Sequence, residues 1–182
     1  MDKLINDIDA VTAEFIQYFG SLSAQQLNYK RECSQWSIAQ NISHIITVND
    51  SYKPLIQSVK NHTYKTAWYS KFKFLVNYFG IKVQEMVKPH MGGKIKTVKQ
   101  WEPEAEKARH DVVTDFAMHQ HTLKQLILSS KDLMQQVIHS PASKLVVYRL
   151  EDAFKIIVAH EQRHLEQAKS MLVMQYSERL GF

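Results

Sequence analysis

Glycine, proline and cysteine are all scarce in this chain: five, four and one among 182 residues. Sandwiches and barrels spend Gly and Pro on their many tight turns. Their scarcity argues for long helices joined by few loops. The lone Cys33 excludes an internal disulfide, so a reducing cytoplasm is the expected compartment. Nothing around Cys33 marks an activated thiol, and it reads as a small buried hydrophobe. No apolar run approaches the roughly 18 residues of a membrane span. The opening stretch from Met1 to Asp9 is acidic and amphipathic, without the basic and apolar regions of a signal peptide; no leader is expected. No internal repeat and no low-complexity tract interrupts the chain.

What is present is ordinary for a soluble globular protein: 45% hydrophobic and 23% charged residues. The length suits one domain over residues 1–182. The net charge of +5 is uneven. Residues 60–100 hold nine lysines, no arginine and one acid, Glu85, so about +8 resides there and the remainder is near −3.

Hydrophobic periodicity predicts an all-α four-helix bundle with an extra helical or loop segment between helices 2 and 3. Leu4, Ile8, Val11, Phe15 and Tyr18 mark one face of a helix over residues 2–18, closed at Gly20. Residues 22–27 read as a short turn with room for one helical turn. Ser37-Ile38-Ala39-Gln40 matches a capping box and opens a second helix reaching about Lys60, with a kink expected at Pro54. Trp68 to Val87 carries a helical pattern rich in Phe and Tyr, broken at Pro89-His90-Met91-Gly92-Gly93. Lys94 to Pro103 reads as an extended loop. A third bundle helix is expected over 104–129, with Val112, Phe116, His119, Leu123 and Ile127 inward. Asp132 to Ile138 reads as a further helical piece and Pro141 to Arg149 as a connector. The last helix runs from about Leu150 to Ser177. No strand pattern requires a sheet.

The chemistry concentrates in the last helix, in His160-Glu161-Gln162-Arg163-His164. Two histidines at i and i+4 sit about 40° apart around a helix, so their rings can converge on one metal ion. They share a stripe with Ala153, Ile157, Ala168 and Met171, within the apolar face. Burying two imidazoles costs free energy unless their nitrogens find partners, and a metal is one such partner. Two ligands are too few. His44, at the edge of the second helix's apolar face, is the best third, and His119 is a rival. His121 points away from His119, and His62, His90, His110 and His139 fall in or near loops and read as solvated. The same string matches the zincin pattern. However, Gln167 and Ser170 stand where a metzincin needs Gly and His, Glu166 and Glu178 lie too close for the downstream ligand, and no sheet edge is expected.

Three stretches together resemble the DinB/YfiT-like family of metalloenzymes: Leu22-Ser23-Ala24-Gln25-Gln26-Leu27, Trp36-Ser37 through His44-Ile45, and Ala159-His160-Glu161-Gln162-Arg163-His164-Leu165-Glu166-Gln167. Their order extends the likeness over nearly the whole chain. The resemblance implies a four-helix bundle with a metal site at one end of its interior, zinc or nickel held by His44, His160 and His164. It implies either hydrolysis, by water activated on the ion, or transfer of a low-molecular-weight thiol. Three ligands leave a coordination position open, as catalysis requires. Glu161 is the candidate general base, with a surface ion pair as its plain alternative. Asn41 is placed either to orient a ligand or to make a polar contact.

Two non-enzymatic readings remain. One is a dimerising bundle with an idle site. The other is a binding module, because lysines interleaved with Trp68, Tyr69, Phe72, Phe74, Tyr78 and Phe79 suit single-stranded nucleic acid or an anionic membrane. The reading adopted here puts those aromatics in the core and the lysines in solvent. The expected partners are then a small-molecule substrate and a second copy in a homodimer, with no nucleic acid and no membrane.

Overall fold

The structure, a computed structural model, describes residues 1–89, 97–103 and 111–180. The break expected at 89–93, much of the loop expected over 94–103, the start of the third bundle helix at 104, and His90 and His110 therefore lie wholly or partly outside the described residues.

Four helices form the bundle: α1 (Asp2–Phe19), α3 (Ile38–Asp50), α6 (Val112–Leu128) and the long α7 (Leu150–Leu180). Around the bundle α1 packs on α6 and α7, and α3 packs on the same two. A single turn, α2 (Ala24–Leu27), sits between the first two. It is opened by a reciprocal cap of Ser23 and Gln26, the same device that opens α3. At α3 the Ser37 Oγ accepts from the Gln40 N–H at 3.1 Å, and the Gln40 side chain accepts from the Ser37 N–H at 3.2 Å. The cap fixes where α3 begins, and hence which residues of α3 face inward. Ser37→Ala is expected to cost about 1 kcal/mol, seen as a drop of a few degrees in melting temperature (about 2–4 °C for a chain this long).

The second helix is not continuous. It ends at Asp50, and α4 (Lys53–Lys60) restarts with Pro54 in its first turn. Proline lacks an N–H and its ring crowds the carbonyl four residues back, so a separation replaces the expected kink. The segment from Trp68 divides similarly, into a short 3-10 turn over Trp68–Lys71 and helix α5 (Lys73–Met86). Its aromatics depart from expectation. Trp68, Phe72, Phe74 and Tyr78 are exposed, not core, while Tyr69 and Phe79 are partly buried; Cys33, expected to be buried, is exposed as well.

A sheet was not expected, yet residues 137–149 form an antiparallel hairpin of β1 (Val137–Ser140) and β2 (Ser143–Arg149). Of the helical piece expected over 132–138 a 3-10 turn at Lys131–Leu133 forms, and the hairpin takes its end and the connector after Pro141. Val146, Val147 and Tyr148 favour a pleated surface, and the hairpin gains its stability by packing on helices. Ile138, Val147 and Tyr148 are buried, and β2 packs on α5. Tyr148 also shares a buried hydroxyl–hydroxyl hydrogen bond of 2.9 Å with Tyr52 at the α3–α4 break. No helix among the described residues is long and apolar enough to cross a membrane.

The core is two apolar clusters. One gathers Ile8, Val48, Tyr52, Leu123, Ile127, Phe154 and Ile157; the other gathers Phe15, Phe19, Ile42, Ile45, Phe116, Leu165 and Met171. In α6 and α7 alike the two sets are separated along the helix by polar residues: His119 and Gln120 in α6, His160, Glu161 and His164 in α7. The histidines thus interrupt the core partway along the bundle. The resemblance implied a site at one end; the order of these clusters corrects that.

Candidate metal centre

Burial of imidazole rings inside an apolar bundle needs a compensating partner for each nitrogen. The structure brings His44 of α3 to His160 and His164 of α7, with one ligand atom from each inside a span of 4.8 Å. The His160 Nε2 stands 3.3 Å from the His44 Nε2 and 3.1 Å from the His164 Nε2.

Hydrogen bonds on the far side of two rings decide their tautomers. The His44 Nδ1–H donates to the backbone carbonyl of Trp101 at 2.7 Å. The His164 Nδ1–H donates to Asn41 Oδ1 at 2.8 Å. Asn41 cannot be flipped cheaply, because its Nδ2 donates to the Ser37 carbonyl at 2.9 Å. Both Nε2 atoms therefore present lone pairs to the same point, and at most one proton, on His160, lies among three nitrogens. A cation resolves that arrangement. Ligand bonds of about 2.0–2.1 Å in tetrahedral geometry place nitrogens about 3.3 Å apart, close to the observed spacings.

Protonation points the same way. Burial, first of all, holds all three rings below the ordinary histidine range: His44 lowered, His160 to about 3, His164 well below. For His160 and His164 their neighbouring imidazoles and Arg163 add to the effect. Neutral imidazole is the form that binds metal. Trp36 walls the cluster, its ring 4.8 Å from that of His44 and stacked at 5.9 Å on that of His164.

A family model of the DinB superfamily matches residues 7–168. The chain belongs to the DinB superfamily. Among solved structures it is similar to YfiT from Bacillus subtilis, described as a probable metal-dependent hydrolase with an unusual four-helix bundle topology. That likeness has a TM-score of 0.56 at 17% identity, and covers 100% of this chain and 87% of YfiT. No curated protein matches.

The other sequence candidates of this DinB chain fall into place around the centre. His119, the rival ligand, is turned onto Asp50 instead, its Nε2 2.9 Å from Oδ1. His121 and His62 are exposed. His139, expected in solvent, lies in β1, partly buried, with Nδ1 donating to the Ser140 carbonyl at 2.9 Å. Glu161 is no surface residue: it has no exposure, and its carboxylate lies outside the three-histidine cluster. Its Oε1 accepts from Asn49 Nδ2 and from Gln120 Nε2, each at 2.7 Å, while Oε2 has no partner among the described residues. Burial outweighs those two bonds and lifts its pKa to about 7.

Trp36, Asn49, Gln120 and the Trp101 carbonyl carry roles that the sequence reading did not assign. For the side chains a signal existed, since Asn49 and Gln120 are polar residues at inward positions of their helices. A backbone carbonyl leaves no mark on sequence. Asn41 acts through His164, so Asn41→Ala is expected to weaken metal affinity about 10–100-fold, with Asn41→Asp retaining it. Competition against a chromophoric chelator measures both.

Proposed function

We propose that the protein is a metal-dependent hydrolase whose zinc or nickel ion is held by His44, His160 and His164. The observation that carries the reading is the convergence of three Nε2 atoms, two of them with their lone pairs fixed inward by Trp101 and Asn41. Three protein ligands leave a position open for substrate. A divalent ion there supplies Lewis acidity, polarising a substrate carbonyl and making water acidic near neutral pH. The chain's own groups do the rest. Trp36 and the two apolar clusters wall the buried rings of His44 and His164, leaving His160 partly open to solvent. Glu161, with its pKa raised to about 7, is the group suited to take and return a proton at physiological pH. Asn49 and Gln120 hold its carboxylate in place. Trp101, which fixes His44, also lines an open cavity of about 450 Å³ with Thr47, Leu55, Gln100 and His139.

The test is hydrolysis of a panel of activated esters and amides by protein stripped with a chelator and reloaded with Zn²⁺ or Ni²⁺. Activity should return with metal in the parent and stay absent in His160→Ala. Transfer of a low-molecular-weight thiol to an electrophile, without hydrolysis, would replace the hydrolase reading with a transferase.

A further inference from the structure

Helix α5 is apolar on two opposite sides. At about 100° per residue, Val76, Gly80 and Val83 share one side, and Phe74, Tyr78 and Ile81 share the other. The first side is in the fold: Val76 and Gly80 are buried, and α5 packs on α7 and β2. Gly80 approaches α7 so closely that a Cβ there would stand 2.8 Å from Asp152 Oδ2. The second side faces solvent, with Phe74 66%, Tyr78 57% and Ile81 64% exposed. The preceding turn extends it. Trp68, 74% exposed, meets Phe72 at 6.1 Å between ring centroids, and Phe72 meets Phe74 at 6.0 Å. Five large apolar side chains thus form one continuous outward ridge, which a protein in water ordinarily does not carry without use.

The charges beside the ridge are mainly positive. Lys73 and Lys82 flank the outward stripe of α5, and Lys71 lies in the turn; all three are exposed and none makes an ion pair among the described residues. Glu85, the one acid in 60–89, continues the stripe one turn beyond Ile81 and is paired there with Lys88. A second copy fits this ridge poorly, because a two-fold contact would bring the same lysines together. Single-stranded nucleic acid prefers a groove with flat rings to stack on, whereas this is a convex helix edge that includes an isoleucine. Trp, Tyr, Phe and Ile along one side of a helix, bordered by lysines, is the composition of a helix lying in a lipid headgroup region.

We propose that the outward ridge of α5 and the Trp68–Phe72 turn dock the protein on an anionic phospholipid membrane surface. The expectation of no membrane partner rested on burying these aromatics, and they are not buried. The docking is peripheral: the ridge inserts to headgroup depth and the lysines meet lipid phosphate and carboxylate groups.

Co-sedimentation of the full chain with phosphatidylcholine vesicles, with and without about 30% phosphatidylserine, tests this. Binding should require phosphatidylserine and weaken with salt. Replacing Lys71, Lys73 and Lys82 together by alanine should weaken it roughly a hundredfold. Phe74→Ser with Ile81→Ser should abolish it while circular dichroism stays unchanged, since both side chains are already in water. Should that pair unfold, Trp68→Ser alone serves, read by the same loss. No binding to either vesicle overturns the proposal, as does equal binding to both. Salt-sensitive binding to oligothymidine without vesicle binding assigns the ridge to nucleic acid instead. A dimer in light scattering that Phe74→Ser dissociates assigns it to a second copy.

Discussion

Replacing His160 by alanine is expected to lower the affinity for Zn²⁺ or Ni²⁺ by about a hundred- to a thousandfold. Closed zinc sites bind with about 10–16 kcal/mol shared among four ligands, so one imidazole accounts for about 3–4 kcal/mol. His44→Ala and His164→Ala should match it, because each supplies one Nε2 to the same point. The sharper half of the experiment is what should not change. His119 is a buried histidine on a neighbouring helix, yet it is committed to Asp50. His119→Ala should therefore keep full affinity, and so should His121→Ala on the exposed face. Metal content by mass spectrometry and a competition titration distinguish these outcomes. Undiminished metal in His160→Ala would remove the centre altogether. Loss in His119→Ala would show that a different set of rings binds.

The histidine pair of the last helix is legible because it repeats at i and i+4 inside an apolar stripe, where two imidazoles demand an explanation. His44 is legible less from its own helix than from the capping box that places it, Ser37 with Gln40, and from the family motif that contains both. The ranking of His44 above His119 needed three dimensions. Each is a single histidine on an inward helix face, and only the approach of Asp50 to one and of the α7 rings to the other separates them. Glu161 shows the limit differently. Its place on the helical wheel borders the apolar face, and a surface ion pair was an equal reading. Its full burial depends on Asn49 and Gln120, which arrive from α3 and α6.

Fold-level errors have the same origin. Short strands such as Val137–Ser140 carry too few residues for a period of two to stand out from a helical one. Their pairing with residues 143–149 is a tertiary fact. The inside placement expected for the α5 aromatics fails because hydrophobicity alone does not say which of two apolar sides finds a partner. Only one side could pack against α7 and β2.

Metal-free protein should lose stability as pH falls from 6.5, and lose it faster below about 4.5. The folded pKa values of His44, His119, His160 and His164 all lie below the ordinary 6.5, with burial the largest cause in each. Below pH 6.5 the unfolded chain takes up protons that the folded rings refuse, so acid favours unfolding. Each such ring costs about 1.4 kcal/mol per pH unit until its folded pKa is reached, which for His160 is about 3. Glu161 works in the opposite direction. Its folded pKa of about 7 exceeds the ordinary 4.5, so between those values the folded state holds a proton the unfolded state lacks, and acid favours folding. Over that window Glu161 offsets about one ring's worth. That ring is His160, so the net loss over this window is what His44, His119 and His164 add. Below 4.5 the unfolded carboxylate is protonated too, the offset ends, and the loss from His160 emerges in full at about 1.4 kcal/mol per unit until about pH 3. Urea unfolding of chelator-treated protein across pH 4–7.5 measures the slope. Glu161→Gln should steepen it from pH 6.5 downward and erase the break. A flat profile in the parent would mean that the rings titrate alike in both states, and that they are not enclosed in the bundle.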